Sequence, residues 1–506
     1  MNRRRDVSEF GLRRWVIVLG VVLAPLLETI DSSIVNVALP TLQGNLGATL
    51  DEAAWVITGY LVANVIVIPI TPWLQDRFGR RQYFTVTVIG FTIASALCGS
   101  VDSITLLIVL RVVQGLFGGG LIATSQAALR DIFPPEEVGT SQAIFAVVIL
   151  IGPILAPMIG GYLIDVASWQ WIFFINIIPG SIAAVIISTM LRNPTDPQEQ
   201  PVDFAGLGLL AVALGSLQFF LEEGERRDWF ESPSVDAALA ASIAAGIGFA
   251  VWELRGTHRP IVDLHVLRYR GVSVGVLLAM GIATTLFGTT LILPIFTQNI
   301  LGFTAYDSGV LLLFRALPVM LLTPAVAILV ASGRVDSRIA MATGYVLTGI
   351  GSLLLALAFT SGTPFEAMLP GLIIGGLGTA MLLIPLLITV QTSTPVGDAA
   401  QAGSFITLAF QLGGSIASAV IVTALDRRTD FHSSVLAGSI TLAHPAVRHA
   451  LAVTAKAQLA QIVSQQATTL AFADITYGVA AIAIVLMPLV LLLRRQTVVE
   501  GGLVLE

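Results

Sequence analysis

Charge is scarce in this chain. Asp, Glu, Lys and Arg make up only 11% of its 506 residues, hydrophobic residues make up 55%, and mean hydropathy is +0.88. A soluble domain carries about 25% charged residues, so composition excludes an ordinary water-soluble fold. The formal net charge of −6 is small and points to no nucleic-acid partner. There is a single cysteine, Cys98, so no internal disulfide can form. The sequence has no GxxxxGK-S/T nucleotide loop and no metal-ligand spacing. An enzyme is therefore not expected, and neither is a resident cofactor. Short alternating segments of the kind a membrane β-barrel needs are missing as well.

What the chain has is long apolar runs, each near the ~20 residues that span a bilayer as a helix. Fourteen are expected, over about 15–40, 53–74, 82–101, 104–130, 139–163, 171–191, 204–221, 235–254, 271–298, 308–331, 339–359, 367–391, 400–424 and 474–493. The first follows MNRRRDVSEFGLRR and reads as an uncleaved span, too long and too acidic for a signal-peptide core. Cytoplasmic loops collect Lys and Arg. With the N-terminus inside, 18 of the 26 basic residues fall on inside segments, six outside and two, Arg111 and Arg315, within spans. An even span count puts both termini in the cytoplasm and predicts a multi-pass membrane protein, surrounded by lipid.

Two inside linkers divide the chain. RNPTDPQEQPVD at 192–203 is polar and Pro-rich, and 255–270 carries four arginines. The expected organisation is all-α: a six-helix bundle over 1–192, a linker with two inserted spans over 193–270, and a second six-helix bundle over 271–506. Transporters are often built from such repeated halves. A degenerate echo supports the repeat: WLQDRFGRRQ follows the second span and SGRVDSRIAM the tenth. The longest loop, 425–473, is expected outside, with an irregular first half and a helix over the Pro- and Gly-free VRHALAVTAKAQLAQIVSQQATTLAF.

The chemistry sits in the spans. LETIDSSIVNVALP, residues 27–40, places Glu28 and Asp31 near the middle of the first run. Residues three apart share a helix face, and a charge at bilayer depth costs ~2.5–3.5 kcal/mol. Two such acids mark a proton or cation site, or else a structural ion pair. In span four, LLIVLRVVQGLFGGG puts Arg111, Gln114 and Gly118 on one face. Guanidinium does not deprotonate, so Arg111 needs an acceptor, and Glu28 and Asp31 are the candidates. PWLQDRFGRRQ after span two holds Asp76, Arg77, Gly79, Arg80 and Arg81 in a tight turn, unless it is simply positive-inside punctuation. In IGPILAPMIGGYL, Gly152, Ala156 and Gly160 form a small-residue stripe for close packing, followed by Gly161, while Pro153 and Pro157 bend the helix. Arg315, in LLLFRALP, either contacts backbone carbonyls or lines a cavity that meets anionic substrate. Asn36, Gln114, Gln298 and Arg315 are the expected polar groups of a substrate cavity.

These strings, in this order, resemble the major facilitator superfamily. The charged turn is similar to its signature between helices two and three, with Pro72 where Gly is usual. Span four resembles its helix-four motif, whose arginine is linked to proton transfer. Span five is similar to the antiporter motif of drug exporters, with Ala156 replacing Gly. LETIDSSIVNVALP, WQWIFFINIIPG, VDFAGLGLL, PIVDLHVLRYR and LPIFTQNILGFTAYDSG narrow the resemblance to fourteen-helix drug:H⁺ antiporters of the EmrB/QacA type. Related sequences often carry Arg in span thirteen where Phe410 stands. The resemblance implies proton-driven export of hydrophobic or amphipathic drugs, with Asp31 as proton carrier, Glu28 beside it and Arg111 responding to its charge. It also implies a periplasmic membrane-fusion adaptor and an outer-membrane channel as partners. The alternatives are an exporter of one native metabolite or weak acid, and a non-transporting receptor or scaffold.

Overall fold

Among the described residues, fourteen helices account for nearly all of the regular structure. The computed structural model describes residues 7–134, 137–194, 196–197, 202–256, 260–395, 397–439, 456–493, 496–499 and 502–505. In chain order the helices are α1 Gly11–Leu46, α2 Asp51–Phe78, α3 Arg80–Cys98, α4 Ile104–Ile132, α5 Val138–Val166, α6 Trp171–Met190 and α7 Phe204–Glu223. They continue as α8 Pro233–Arg255, α9 Arg270–Asn299, α10 Ala305–Ala331, α11 Ser337–Ala358, α12 Phe365–Thr392, α13 Ala399–Ser439 and α14 Gln458–Leu492. Each coincides with one expected span. Twelve are long and apolar enough to cross a membrane, and the bent α5 makes thirteen. The remaining helix, α3, opens on Arg80, Arg81 and Gln82, which lowers its hydropathy. Its 19 residues still reach about 28 Å. A short antiparallel hairpin, β1 Gln496–Val499 and β2 Gly502–Leu505, follows α14.

The packing repeats. Helix α1 packs on α5 and α6, α2 on α4, and α3 on α4 and α6. Eight helices later α9 packs on α13 and α14, α10 on α12, and α11 on α12 and α14. Local signals repeat with it. A capping box opens α2, where Thr49 accepts from the Glu52 amide and Glu52 from the Thr49 amide. Another opens α10, built from Thr304 and Asp307. Each satisfies two amides that a helix start leaves unpaired.

Between the halves, α5 packs along α10, while the last turns of α2 and α4 meet α13. One continuous apolar core joins both halves on the side that carries the termini. It includes Ile17, Leu129 and Ile132 from the first half and Val330, Leu383 and Ile406 from the second. On the opposite side the core divides in two. Ile34, Leu42, Leu107 and Phe173 form one cluster within the first half. Phe296, Leu311, Phe359 and Phe472 form another within the second. The halves are thus joined at one end and separately packed at the other. The inserted α7 bridges α2 and α13 toward that second end. Gln218 donates to Ser415 (2.7 Å), and Glu223 accepts from Thr58 (3.1 Å).

The long loop departs from expectation in its first half. Helix α13 runs on without a break to Ser439, because RRTDFHSSVLAGS contains no proline and its single glycine lies near the end. The expected helix in the second half is present, since α14 begins within it: the helical segment runs Lys456–Leu486. The two extensions are clamped together where Asp474 receives Arg428 and His432. Residues 440–455 and parts of both linkers lie outside the described residues.

Candidate functional site

The acid turn of α1 sits between three helices. Asp31 is fully buried, and its carboxylate takes three donors: Arg111 Nη1 at 2.5 Å, Gln114 Nε2 at 3.0 Å and Asn176 Nδ2 at 2.9 Å. Arg111 is also fully buried. Its Nε donates to the Val56 carbonyl (3.0 Å), Nη1 also reaches Gln114 Oε1 (2.7 Å), and the guanidinium lies over the Tyr60 ring at 4.1 Å. Nη2 has no partner. Asn176 is itself fixed by the Ser95 hydroxyl, which donates to the Phe173 carbonyl. Charge-assisted bonds of this kind are about twice as strong as neutral ones. Removing one partner of a buried pair costs ~3–5 kcal/mol, because the other charge is stranded. Of the two expected acceptors, Arg111 uses Asp31 alone.

Glu28, one turn earlier, faces elsewhere. Its carboxylate accepts from Asn64 Nδ2 (2.9 Å) and the Ile122 amide (3.2 Å). It also lines a central cavity of about 70 Å³ between the halves. The rest of that wall is largely apolar and aromatic, with Phe145, Ile149, Phe287, Leu387 and Phe410. Phe410 stacks edge-on against Phe287 at 5.8 Å. The wall is aromatic here, and Glu28 is the charged residue on it.

The structure places the four expected cavity residues away from this cavity wall. Gln114 is buried against Asp31 and Arg111, because the face it shares with Arg111 turns toward α1. Arg315 is buried behind α9, donating to the Thr285 carbonyl at 3.3 Å. Asn36 and Gln298 are exposed, away from the cavity wall. The wall's own polar groups are Thr29, Ser32, Ser33, Asn64, Gln126, Thr407 and Gln411 together with Glu28.

Helix α5 holds the acid turn in place. A Cβ at Gly152 would stand 1.9 Å from Thr29 Oγ1, and one at Gly160 would stand 2.7 Å from Ile34 Cγ1. Ala156 is buried in the adjoining core, and Gly161 faces open space. Helix α5 bends by 43° around 153–155, beside the first of its two internal prolines, Pro153 and Pro157. Pro153 reaches the cavity wall.

In the charged turn, Gly79 has φ +81°, a conformation glycine adopts without strain. Arg80 donates to Gln75 (2.8 Å), to the Ala127 carbonyl (3.2 Å) and to Asp131 of α4. Arg81 caps the Ser188 carbonyl of α6, and its amide donates to Asn193 (2.8 Å). Arg77 lies over Trp73 and Phe78, and Asp76 is exposed. The turn therefore ties α2 and α3 to α4 and α6 through Asp131 and Asn193. Sequence reasoning missed both residues, along with Asn64, Tyr60 and Asn176. Lone amides inside apolar runs were the available signal.

Two pseudo-equivalent six-helix halves around a central cavity, with two inserted helices, define a polytopic membrane transporter rather than an enzyme. Residues 13–418 match the Major Facilitator Superfamily, and the chain belongs to that family. It is 31% identical over 503 residues to the multidrug export protein EmrB of Escherichia coli strain K12, covering 97% of this chain and 98% of that one. It is 35% identical over 439 residues to the fatty acid resistance protein FarB of Neisseria gonorrhoeae, covering 84% and 83%. Among solved structures it superposes on the human organic anion transporter MFSD10 with TM-score 0.59 at 15% identity, covering 94% and 99%. That likeness concerns the fold.

Proposed function

We propose that this chain exports hydrophobic or amphipathic drugs across the inner (plasma) membrane in exchange for protons. The carrying observation is Glu28, a carboxylate on the wall of an otherwise uncharged, aromatic cavity between the two halves. The names of the full-length relatives support drug export. The arginine bias supports both termini in the cytoplasm, so the end where the two halves share one core is the cytoplasmic end. A cavity of about 70 Å³ is far below the ~300 Å³ of a drug-sized site. Loading therefore requires the halves to separate.

Coupling follows from competition. A proton entering from outside neutralises Glu28 and weakens its hold on a cationic drug. Return to the cytoplasmic side releases the proton, and the carboxylate binds drug again. Asp31 is the second proton site in this scheme. Its bonds to Arg111, Gln114 and Asn176 tie α1 to α4 and α6, so its protonation would loosen the first half. The driving gradient serves as the only cofactor.

The test is a pH-jump export assay in proteoliposomes with cationic, neutral and anionic compounds. Asp31→Asn should abolish gradient-driven export while the protein still folds. Glu28→Gln should shift preference toward neutral or anionic compounds. Full export with unchanged pH dependence in both variants refutes the coupling. A second reading, export of a weak acid or one native metabolite, draws on the Neisseria relative's name. It predicts transport confined to the anionic compounds. On the outside, the extended ends of α13 and α14 expose Phe431, Val435 and Ile462. These are the surface proposed to meet a periplasmic membrane-fusion adaptor leading to an outer-membrane channel.

A further inference from the structure

Among the described residues, the second half contains a buried cation, Arg315, without a counter-charge. Arg315 is 3% exposed, and the spans that surround it, within 271–298, 308–331, 339–359 and 367–391, contain no Asp or Glu. Its contacts are neutral and long: the carbonyls of Leu286 (3.5 Å) and Thr285 (3.3 Å) and Thr379 Oγ1 (3.4 Å). Ordinary N–H···O bonds lie at 2.7–3.2 Å. Its Nε is buried with no partner at all.

The pseudo-symmetry sharpens the anomaly. Arg315 lies 11 residues after the α10 cap Thr304 (315 − 304), as Tyr60 lies 11 after the α2 cap Thr49 (60 − 49). In the first half Tyr60 covers a cation, Arg111, whose charge is met by Asp31. In the second half the cation stands at Tyr60's place, and no acid faces it.

The same Arg315 lines a small space of about 10 Å³ bordered by α9, α10, α11 and α12. Its other walls include the hydroxyl residues Thr289, Thr348 and Ser352 and the backbone of Gly371 and Gly375. Thr348 Oγ1 is buried without a partner. Two residues with an orphaned buried donor, Arg315 and Thr348, thus line one space of about the size of a single water. Orphaned buried donors are rare in folded proteins. A water in this space would occupy the donors and leave the charge unbalanced.

We infer that this void is a binding site for one monatomic anion, a halide such as chloride, held by Arg315 and Thr348 between α9, α10, α11 and α12. The ligand completes the second half's electrostatics as Asp31 completes the first. It fastens α10 to α11 and α12, so its effect appears first as stability of the folded protein. The inference does not depend on the transport reading.

The test uses the purified full-length protein in detergent, with its unfolding temperature followed in sodium chloride, bromide, gluconate or sulfate at equal ionic strength. Ligands that bind only the folded state raise that temperature in a concentration-dependent way. Chloride and bromide should raise it saturably by a few degrees, gluconate, too large for the void, should not, and sulfate should give only the non-saturating rise of an excluded salt. Thr348→Val keeps the side chain's shape and should weaken the apparent chloride affinity roughly tenfold, the worth of one bond to a charged partner. Arg315→Gln should remove the halide effect. If it does not fold, Thr348→Val alone decides. Equal unfolding temperatures of wild type in chloride and gluconate overturn the site, leaving a water-filled void. A halide effect that Thr348→Val leaves at full affinity also overturns it, since the anion then binds elsewhere.

Discussion

Gly152→Ala is the sharpest test of how α5 serves the site. The added Cβ would stand 1.9 Å from Thr29 Oγ1 and 2.5 Å from Thr29 Cβ. Thr29 cannot simply turn away, because its hydroxyl donates back to Pro25 and Leu26 and its Cβ is itself too close. Reaching ordinary contact at ~3.4 Å requires about 1.5 Å of separation between α1 and α5. Overpacking of this kind costs typically ~1–3 kcal/mol. Thr29 is the neighbour of Glu28, so the strain falls on the acid turn. If transport needs that turn in place, 1–3 kcal/mol corresponds to roughly a 5–150-fold loss. The assay is gradient-driven export in proteoliposomes, normalised to folded protein. Thr29→Gly removes both clashing atoms and should restore export in the double variant, although the glycine itself costs ~1 kcal/mol in a helix. Gly152→Ala at the wild-type rate would refute the reasoning. So would a double variant whose losses merely add, since residues in contact are expected to couple.

The remaining expectations are simpler to state. Arg111→Lys should lose most gradient-driven export, because one ammonium cannot reproduce the bonds to Val56, Gln114 and Asp31 or the stacking on Tyr60; wild-type kinetics in this variant would reject the pairing as functional. Replacing residues 430–465 with a flexible linker should leave liposome transport intact while resistance in cells and adaptor co-purification are lost. If liposome transport also collapses, the α13–α14 extension belongs to the transporter body, and if no readout changes, the docking surface is refuted.

Much of this arrangement was legible in the residues. Apolar run length placed all fourteen helices, because a bilayer demands ~20 residues per span. The pairing of Arg111 with an α1 acid followed from the guanidinium's fixed charge. Which acid it chose did not follow. Glu28 and Asp31 are three residues apart, which is one face only to within about 60° and one turn of rise. That difference puts Asp31 against α4 and α6 and leaves Glu28 on the cavity wall. The direction of Gln114 was hidden for a related reason: a shared face with Arg111 says that the two side chains go together, not which way. The partner of Arg80 was hidden for another reason. Asp131 lies 51 residues away on α4, whereas Asp76, in the same string, stays exposed. Local spacing names the residues of a motif, but their partners are set by how helices distant in sequence pack. The same limit hid the amides Asn64 and Asn176.

The division of the apolar core bears on what the opposite state of this molecule must look like. At the end with the termini, α5 and α10 approach so closely that a Cβ on Gly139 would stand 2.5 Å from Ala331 Cβ and 2.9 Å from the Ala327 carbonyl. Toward the far end of the same helix pair, a Cβ on Gly309 would meet Met158 at an ordinary 3.5 Å. The tight end carries no hydrogen-bonded lock between these helices at Gly139, only contact. Dispersion falls off steeply with separation, so such a seam is either shut or open, with little between. The polar ties lie elsewhere: Gln401 to the Pro69 carbonyl (3.3 Å) joins the halves on one side, and Gln218 of the inserted α7 reaches Ser415 on the other. Glu28 stands between them, at the level where α1 is pressed by Gly152. A rocking of the halves about this level would separate the joined core and bring together the two outer ones, each of which is already packed within its own half. In such a motion the halves would move as bodies, and the groups that must change partners would be the few that span them.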